Sequence, residues 1–235
     1  MAVQDHQKYF DQIRALSKKY EQKIKVCAGL EADYIPGMAC DFEWQYKEFN
    51  PDFLIGSVHY LTNKNGFFTV DDKTENVRQG LARLYNNDGK KAVCEYFARQ
   101  REMLESQKIT ILGHADVIRI RNGELKFFDE GESWYKKEIK ATAKAAARAG
   151  VIAEINTGGL ARGVMDDVYP SAEFLEFLFK AGVPIVFSCD AHKAEHIGFA
   201  FDRAELAAIR AGYEEAAYIE DGQIKFYKLD GRLKY

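Results

Sequence analysis

Residues 184–192 read Pro-Ile-Val-Phe-Ser-Cys-Asp-Ala-His, and no other stretch restricts the fold as much. A continuous apolar run of this length, ending abruptly in polar residues, is the pattern of a strand covered on both faces. Such a strand needs a layer of structure on each side of its sheet, which points to an α/β protein. The run ends in a carboxylate and an imidazole two residues apart, Asp190 and His192, placed where the strand leaves its sheet.

The same layout recurs along the chain. Strands are predicted at 23–30, 53–58, 109–112, 151–155 and 184–188, with a weaker one at 216–220 before the Asp221-Gly222 turn. Helical periodicity is predicted over 3–21, 40–49, 74–85, 90–107, 132–149, 170–182 and 202–211, with a polar excursion at 62–72. Strict alternation of strand and helix implies a parallel sheet, closed as a barrel or wound open. Polar residues after many of the strands favour the barrel, whose loops converge on one mouth. Neither G-x-G-x-x-G nor a Walker sequence occurs, so both nucleotide-binding folds are set aside.

The 235 residues carry no Pro/Ser-rich linker or low-complexity tract, and a single domain over 1–235 is expected. Hydrophobic residues make up 47% of the chain, enough for a domain that buries roughly 70% of its unfolded surface. Net charge is −3 and no basic run of five residues occurs, so no nucleic-acid or anionic-membrane partner is expected. No apolar run approaches the roughly 20 residues that span a bilayer. Four cysteines without C-x-x-C spacing, and no secretory signal, read as reduced thiols in a cytoplasmic protein with a small-molecule partner.

Three of the five histidines, His59, His114 and His192, fall at strand exits, as do Glu31 and Asp190. One histidine at a sheet end is most often a hydrogen-bonded structural residue. Five potential ligands at equivalent exits are a different matter, because parallel topology brings those ends to one face. Imidazole with carboxylate favours Zn, Mn or Fe over Mg or Ca. A site holding more than one such ion suits hydrolysis of phosphate esters.

The ordered motifs Gly29-Leu30-Glu31, Gly56-Ser57-Val58-His59, Gly113-His114-Ala115-Asp116, Glu154-Ile155-Asn156-Thr157 and Cys189-Asp190-Ala191-His192 together resemble the polymerase-and-histidinol-phosphatase (PHP) superfamily, in its histidinol-phosphatase branch. The resemblance implies a distorted (β/α)7 TIM-like barrel with two or three divalent ions at the carboxyl ends of its strands. It implies hydrolysis of a small-molecule phosphate ester, L-histidinol phosphate, in histidine biosynthesis. By position it makes Glu31, His59, His114, Asp190 and His192 metal ligands and Arg162 the clamp on the phosphate. Asp190 or His192 would then protonate the departing alkoxide. The rival readings are a phosphoesterase of the same family with another substrate, and a binding remnant without full activity.

Outside that set, Arg119 and Arg121 follow His114, where they could also face phosphate, but read first as a solvated pair; His6 reads as lying on an exposed helix face, and His196 as capping or packing. Asp33 is a candidate to receive a cationic amine. Family members begin with a strand ending in His-x-His, and a further histidine follows. This chain begins on the helix after those motifs, so the barrel is expected with its first strand missing and Met1 as an internal methionine of a longer reading frame.

Overall fold

Strand and helix alternate along most of the chain. In the computed structural model, which describes residues 3–231, the chain enters on α1 (His6–Tyr20), β1 (Gly29–Asp33), the short α2 (Phe42–Tyr46) and β2 (Phe53–Ser57). A hairpin follows, β3 (Tyr60–Asn63) and β4 (Gly66–Thr69), then α3 (Thr74–Tyr85), α4 (Gly89–Ser106) and β5 (Ile111–Leu112). The second half contains α5 (Asn122–Leu125), α6 (Ser133–Ala149), β6 (Ile152–Asn156), α7 (Gly158–Ala161), α8 (Ala172–Lys180) and β7 (Ile185–Ser188). It closes with α9 (Phe201–Ala211) and the hairpin of β8 (Glu215–Glu220) with β9 (Gln223–Lys228).

Five strands form one parallel sheet in the order β1-β2-β5-β6-β7, the α/β architecture expected of the alternation. Among the described residues the ladder runs from β1 to β7 without joining them. The strand predicted at 216–220 is β8, but it pairs antiparallel with β9 in a separate two-stranded sheet.

The first strand lies later than its apolar pattern suggests. Ladder pairing begins at Gly29, opposite Phe53, so Glu31 is inside the strand rather than in the loop after it. The close approach explains the glycine: a Cβ at position 29 would stand 2.4 Å from the Phe53 ring. Residues 62–72, expected to be irregular, contain most of the β3–β4 hairpin. Its turn is Asn63-Lys64-Asn65-Gly66, in which Asn65 N–H donates to Asn63 Oδ1 at 2.8 Å and Gly66 takes φ +118°.

The two faces of the sheet are covered differently. On one, Ala153 and Ile155 join the main core with α4, α6 and α8. Its centre is Phe97, fully buried, with ring contacts at 5.8 Å to Tyr135 and 6.1 Å to Phe174. On the other face Ile111 and Ile152 pack with Ala217 of β8, and Ile55, Val186 and Ile219 surround them. The terminal hairpin therefore covers the lower part of that face. His6, expected on an exposed surface, is buried with ring contacts at 5.6 Å to Phe49 and 5.7 Å to Tyr46. Among the described residues no helix is long and apolar enough to cross a membrane.

Because Phe97 contacts three helical aromatic rings at once, its truncation leaves a cavity that no single side chain fills. Phe97→Ala is expected to destabilise the fold by about 3–5 kcal/mol, read from the denaturation midpoint at unchanged slope.

Candidate metal centre

Parallel pairing sends the carboxyl ends of five strands to one edge, and the polar residues gather there. Glu31 is the third residue of β1, His59 and His114 lie two residues beyond β2 and β5, and Asp190 and His192 follow β7. Arg162 directly follows α7 in the connection after β6. All six line one cavity of about 540 Å³.

Within that cavity the six divide into two groups. His114 Nε2 stands 3.0 Å from Glu31 Oε1 and 3.1 Å from His59 Nε2, and His59 Nε2 is 3.8 Å from the same carboxylate oxygen. These three donor atoms lie within 4.8 Å of one another. Across the cavity Arg162 Nη1 donates to Asp190 Oδ2 at 3.0 Å and sits 3.4 Å from His192 Nδ1. Asp190 adopts φ 44°, a left-handed conformation that Asp tolerates better than most residues. Asp190 and His192 thus share the cavity with the first three residues but are gathered around the guanidinium.

The trio is supported from behind. His59 Nδ1 is 2.5 Å from Asp33 Oδ1, so the ring turns Nε2 inward with a carboxylate on its other nitrogen, the usual arrangement for a ligating histidine. Asp33 thus supports His59 through one oxygen while its side chain also lines the cavity. Ser57 Oγ donates to Glu31 Oε1 at 2.7 Å. Glu154, almost fully buried in β6, accepts the main-chain N–H of His114 at 2.6 Å and anchors the exit of β5.

Electrostatics follow from this geometry. Burial alone would raise the Glu31 pKa, but the hydrogen bond from His114 and the charges of both histidines override it and hold the group at about 2. Burial would lower His114, yet the Glu31 contact, with Glu154 and Asp190 nearby, lifts it to about 9. Two imidazole nitrogens and a carboxylate oxygen aimed at one point form a donor set suited to a divalent cation that accepts nitrogen.

Two other residues depart from their expected places. Arg121, read as solvated, lines the cavity. Arg119 is nearly buried, with Nε 2.7 Å from Glu130 and Nη1 3.5 Å from the fully buried Asp116. The Asp116 carboxylate also accepts the Ser171 N–H at 2.8 Å. Nothing in hydrophobic periodicity marks either arginine as interior. A charged residue in the middle of the apolar run 151–155 was the visible sign of Glu154.

A PHP domain model matches residues 1–158 of the chain. The chain belongs to the PHP family. It is similar to the probable histidinol-phosphatase of Schizosaccharomyces pombe, 25% identical over 91% of this chain and 69% of that protein. Among solved structures, the hisK protein of Listeria monocytogenes superposes with a TM-score of 0.77 at 21% identity, over 86% of this chain and 76% of that one. The histidinol phosphate phosphatase of Lactococcus lactis, solved with Zn, L-histidinol and phosphate, gives 0.65 at 19% identity, over 93% and 78%. At these identities the two structures establish the fold.

Two outcomes test the centre. His114 carries a proton up to about pH 9, and a cation needs the bare Nε2. Between pH 7 and 9, cation affinity is therefore expected to rise about tenfold per pH unit, with about one proton released per ion, measured by calorimetry in buffers of different ionisation enthalpy. Glu154→Ala leaves a buried N–H beside His114 unanswered and is expected to weaken cation binding about 10- to 100-fold, with Glu154→Gln recovering part of the loss.

Proposed function

We propose that the chain is a metal-dependent phosphomonoesterase whose substrate is L-histidinol phosphate, acting in histidine biosynthesis in the cytoplasm. One observation carries the reading: Glu31, His59 and His114 aim three ligand atoms into the same cavity in which Arg162 extends a guanidinium fork. Zn, Mn or Fe fits that donor set, and Asp190 and His192 are close enough to the cavity to complete the coordination of two or three ions. The similarity to histidinol-phosphatases and to a structure solved with Zn, L-histidinol and phosphate supports the substrate.

When bound, the ions supply Lewis-acid polarisation of the phosphoryl group and acidify water. The chain's own residues bind, orient and move protons. Arg162 offers a planar fork that matches two phosphoryl oxygens, and its bond to Asp190 sets the direction of that fork. His59 is held in one orientation by Asp33, and the main chain that carries His114 is anchored by Glu154. His192 Nδ1 is 2.9 Å from the Asp190 carbonyl, which turns Nε2 away from that contact; Nε2 then serves either as a ligand or, where it holds no ion, as the donor that protonates the departing alkoxide. Asp190 is already engaged by Arg162.

Phosphate release from L-histidinol phosphate is the test. Activity should depend on added Zn or Mn and disappear with a chelator. Asp190→Asn is expected to lower kcat by about 10²-fold or more in a protein that still folds, and Arg162→Ala chiefly to raise KM. Near-normal turnover by Asp190→Asn removes its role; no release from histidinol phosphate by the metal-loaded protein removes the substrate.

A further inference from the structure

Asp116 carries a buried charge that the site itself does not use. Its side chain is fully buried, and Oδ1 has no hydrogen-bond partner among the described residues. The other oxygen, Oδ2, accepts the Ser171 N–H at 2.8 Å and stands 3.5 Å from Arg119 Nη1. A buried carboxylate loses its hydration, and a guanidinium at that distance recovers little of the cost, so stability alone is a poor account of the residue. What Asp116 does supply is a fixed bond between two loops.

Both ends of that bond lead to the cavity. On one side Asp116 lies two residues after His114, and the residue between them is held from α4, where the fully buried Gln100 donates Nε2–H to the Ala115 carbonyl at 2.7 Å. On the other side Ser171 lies two residues after Tyr169. The main chain of Tyr169 pairs with that of Asn156 in both directions, at 2.7 and 3.0 Å. Its ring lies against α7, since a Cβ on Gly159 would stand 2.9 Å from Tyr169 Cε2. From there α7 runs directly into Arg162, whose main-chain N–H donates to the Gly158 carbonyl at 3.0 Å. Ala115, Asp116, Ser171, Tyr169, Asn156 and Gly159 are all buried, and a close-packed interior transmits displacement rather than absorbing it.

We infer that Asp116 is a positioning residue that sets the distance between the cation-ligating wall at His114 and the Arg162 guanidinium. That the anion touching both walls is phosphate rests on the proposed phosphomonoester chemistry; the buried path does not. Each wall also has an anchor of its own, Glu154 for the main chain at His114 and Asp190 for Arg162. Loss of Asp116 therefore leaves each wall able to hold its own ligand and disturbs the fit of an anion that must meet both. The plain alternative is that Asp116 only fastens Ser171 at the start of α8. Its loss would then lower stability and leave the linkage between ligands alone.

The deciding measurement is calorimetric titration of Mn²⁺, and of inorganic phosphate with and without Mn²⁺, into the full chain as wild type, Asp116→Ala, Asp116→Asn and Gly159→Ala. In wild type, Mn²⁺ should tighten phosphate binding about tenfold or more. Asp116→Ala should hold the affinity for each ligand alone within about threefold while the tightening falls to about threefold or less. Asparagine still offers a carbonyl oxygen to the Ser171 N–H, so Asp116→Asn should recover most of the tightening. Gly159→Ala presses on Tyr169 at the far end of the path without touching the buried charge, and should lose the tightening even if Asp116→Ala does not fold. The inference is overturned if Mn²⁺ does not tighten phosphate binding in wild type, or if the tightening survives in folded Asp116→Ala or, failing that variant, in Gly159→Ala. Equal losses of Mn²⁺ affinity and of tightening in Asp116→Ala assign the residue to folding and overturn it too. If the tightening is lost as expected but the metal-loaded wild type hydrolyses no phosphomonoester, the catalytic proposal falls and this one stands. If histidinol phosphate is hydrolysed while the tightening survives in the variants, the reverse holds.

Discussion

Two imidazole nitrogens 3.1 Å apart cannot both point lone pairs at each other without cost, and the rest of the site is arranged around that fact. In the protein alone a proton on His114, shared toward Glu31, relieves the repulsion. A cation relieves it better, because both nitrogens can then donate to the same centre. Asp33 holds the His59 ring from behind, Ser57 fixes the Glu31 carboxylate, and Glu154 anchors the main chain at His114, so the three donors stay close. Each support is itself held by a strand or its exit. The rigidity of the parallel ladder is thereby transmitted to ligand atoms from three strands.

The sheet face below the site shows how a polar cluster is tolerated so close to a core. Side chains alternate along β6, so Ile152, Glu154 and Asn156 share one face while Ala153 and Ile155 pack toward the helices. Polarity increases along that face toward the carboxyl end. Ile152 joins Ile111 and Ala217 in a dry layer, Glu154 answers the His114 amide, and Asn156 Oδ1 accepts the Gly158 N–H at 2.7 Å where the chain turns into α7. Neighbouring β5 conforms: Gly113 lacks a Cβ, and one added there would stand 2.3 Å from Ser57 Oγ, the hydroxyl that supports Glu31. Apolar burial stabilises the lower layer and leaves the upper one free to spend polar groups on chemistry.

Much of this was legible in the chain because parallel topology turns a one-dimensional pattern into a spatial one. An apolar run followed by His, Glu or Asp marks a strand end, and strands of like direction place such ends together, so the common cavity follows from β1, β2, β5 and β7 alone. What stayed hidden depends on partners remote in sequence. His6 looks exposed on its own helix and is buried by Phe49 and Tyr46. Asp33 looks free until His59 comes within 2.5 Å of it. Arg121 ends a 3-10 turn, Val117–Arg121, whose apolar residues face the core, and the loop at Asp71 and Asp72, some fifty positions earlier, draws its guanidinium inward. The β3–β4 hairpin was readable in principle, since Asn65-Gly66 between apolar segments is a strong turn signal, but the polar residues around it masked the strands.

The division of the cavity into two walls matters more to what it can bind than any single residue does. On one side, lone pairs of Glu31, His59 and His114 attract positive charge; on the other, Arg162 presents it, directed by Asp190. A cation bound at the first wall and a guanidinium at the second both favour the same thing between them, a compact dianion with oxygens on opposite faces. A neutral sugar or a monoanionic carboxylate satisfies only one wall and leaves the other unanswered. A phosphodiester carries a single negative charge and a second substituent that the cavity of about 540 Å³ must also hold. A small phosphomonoester is the ligand that answers both walls at once.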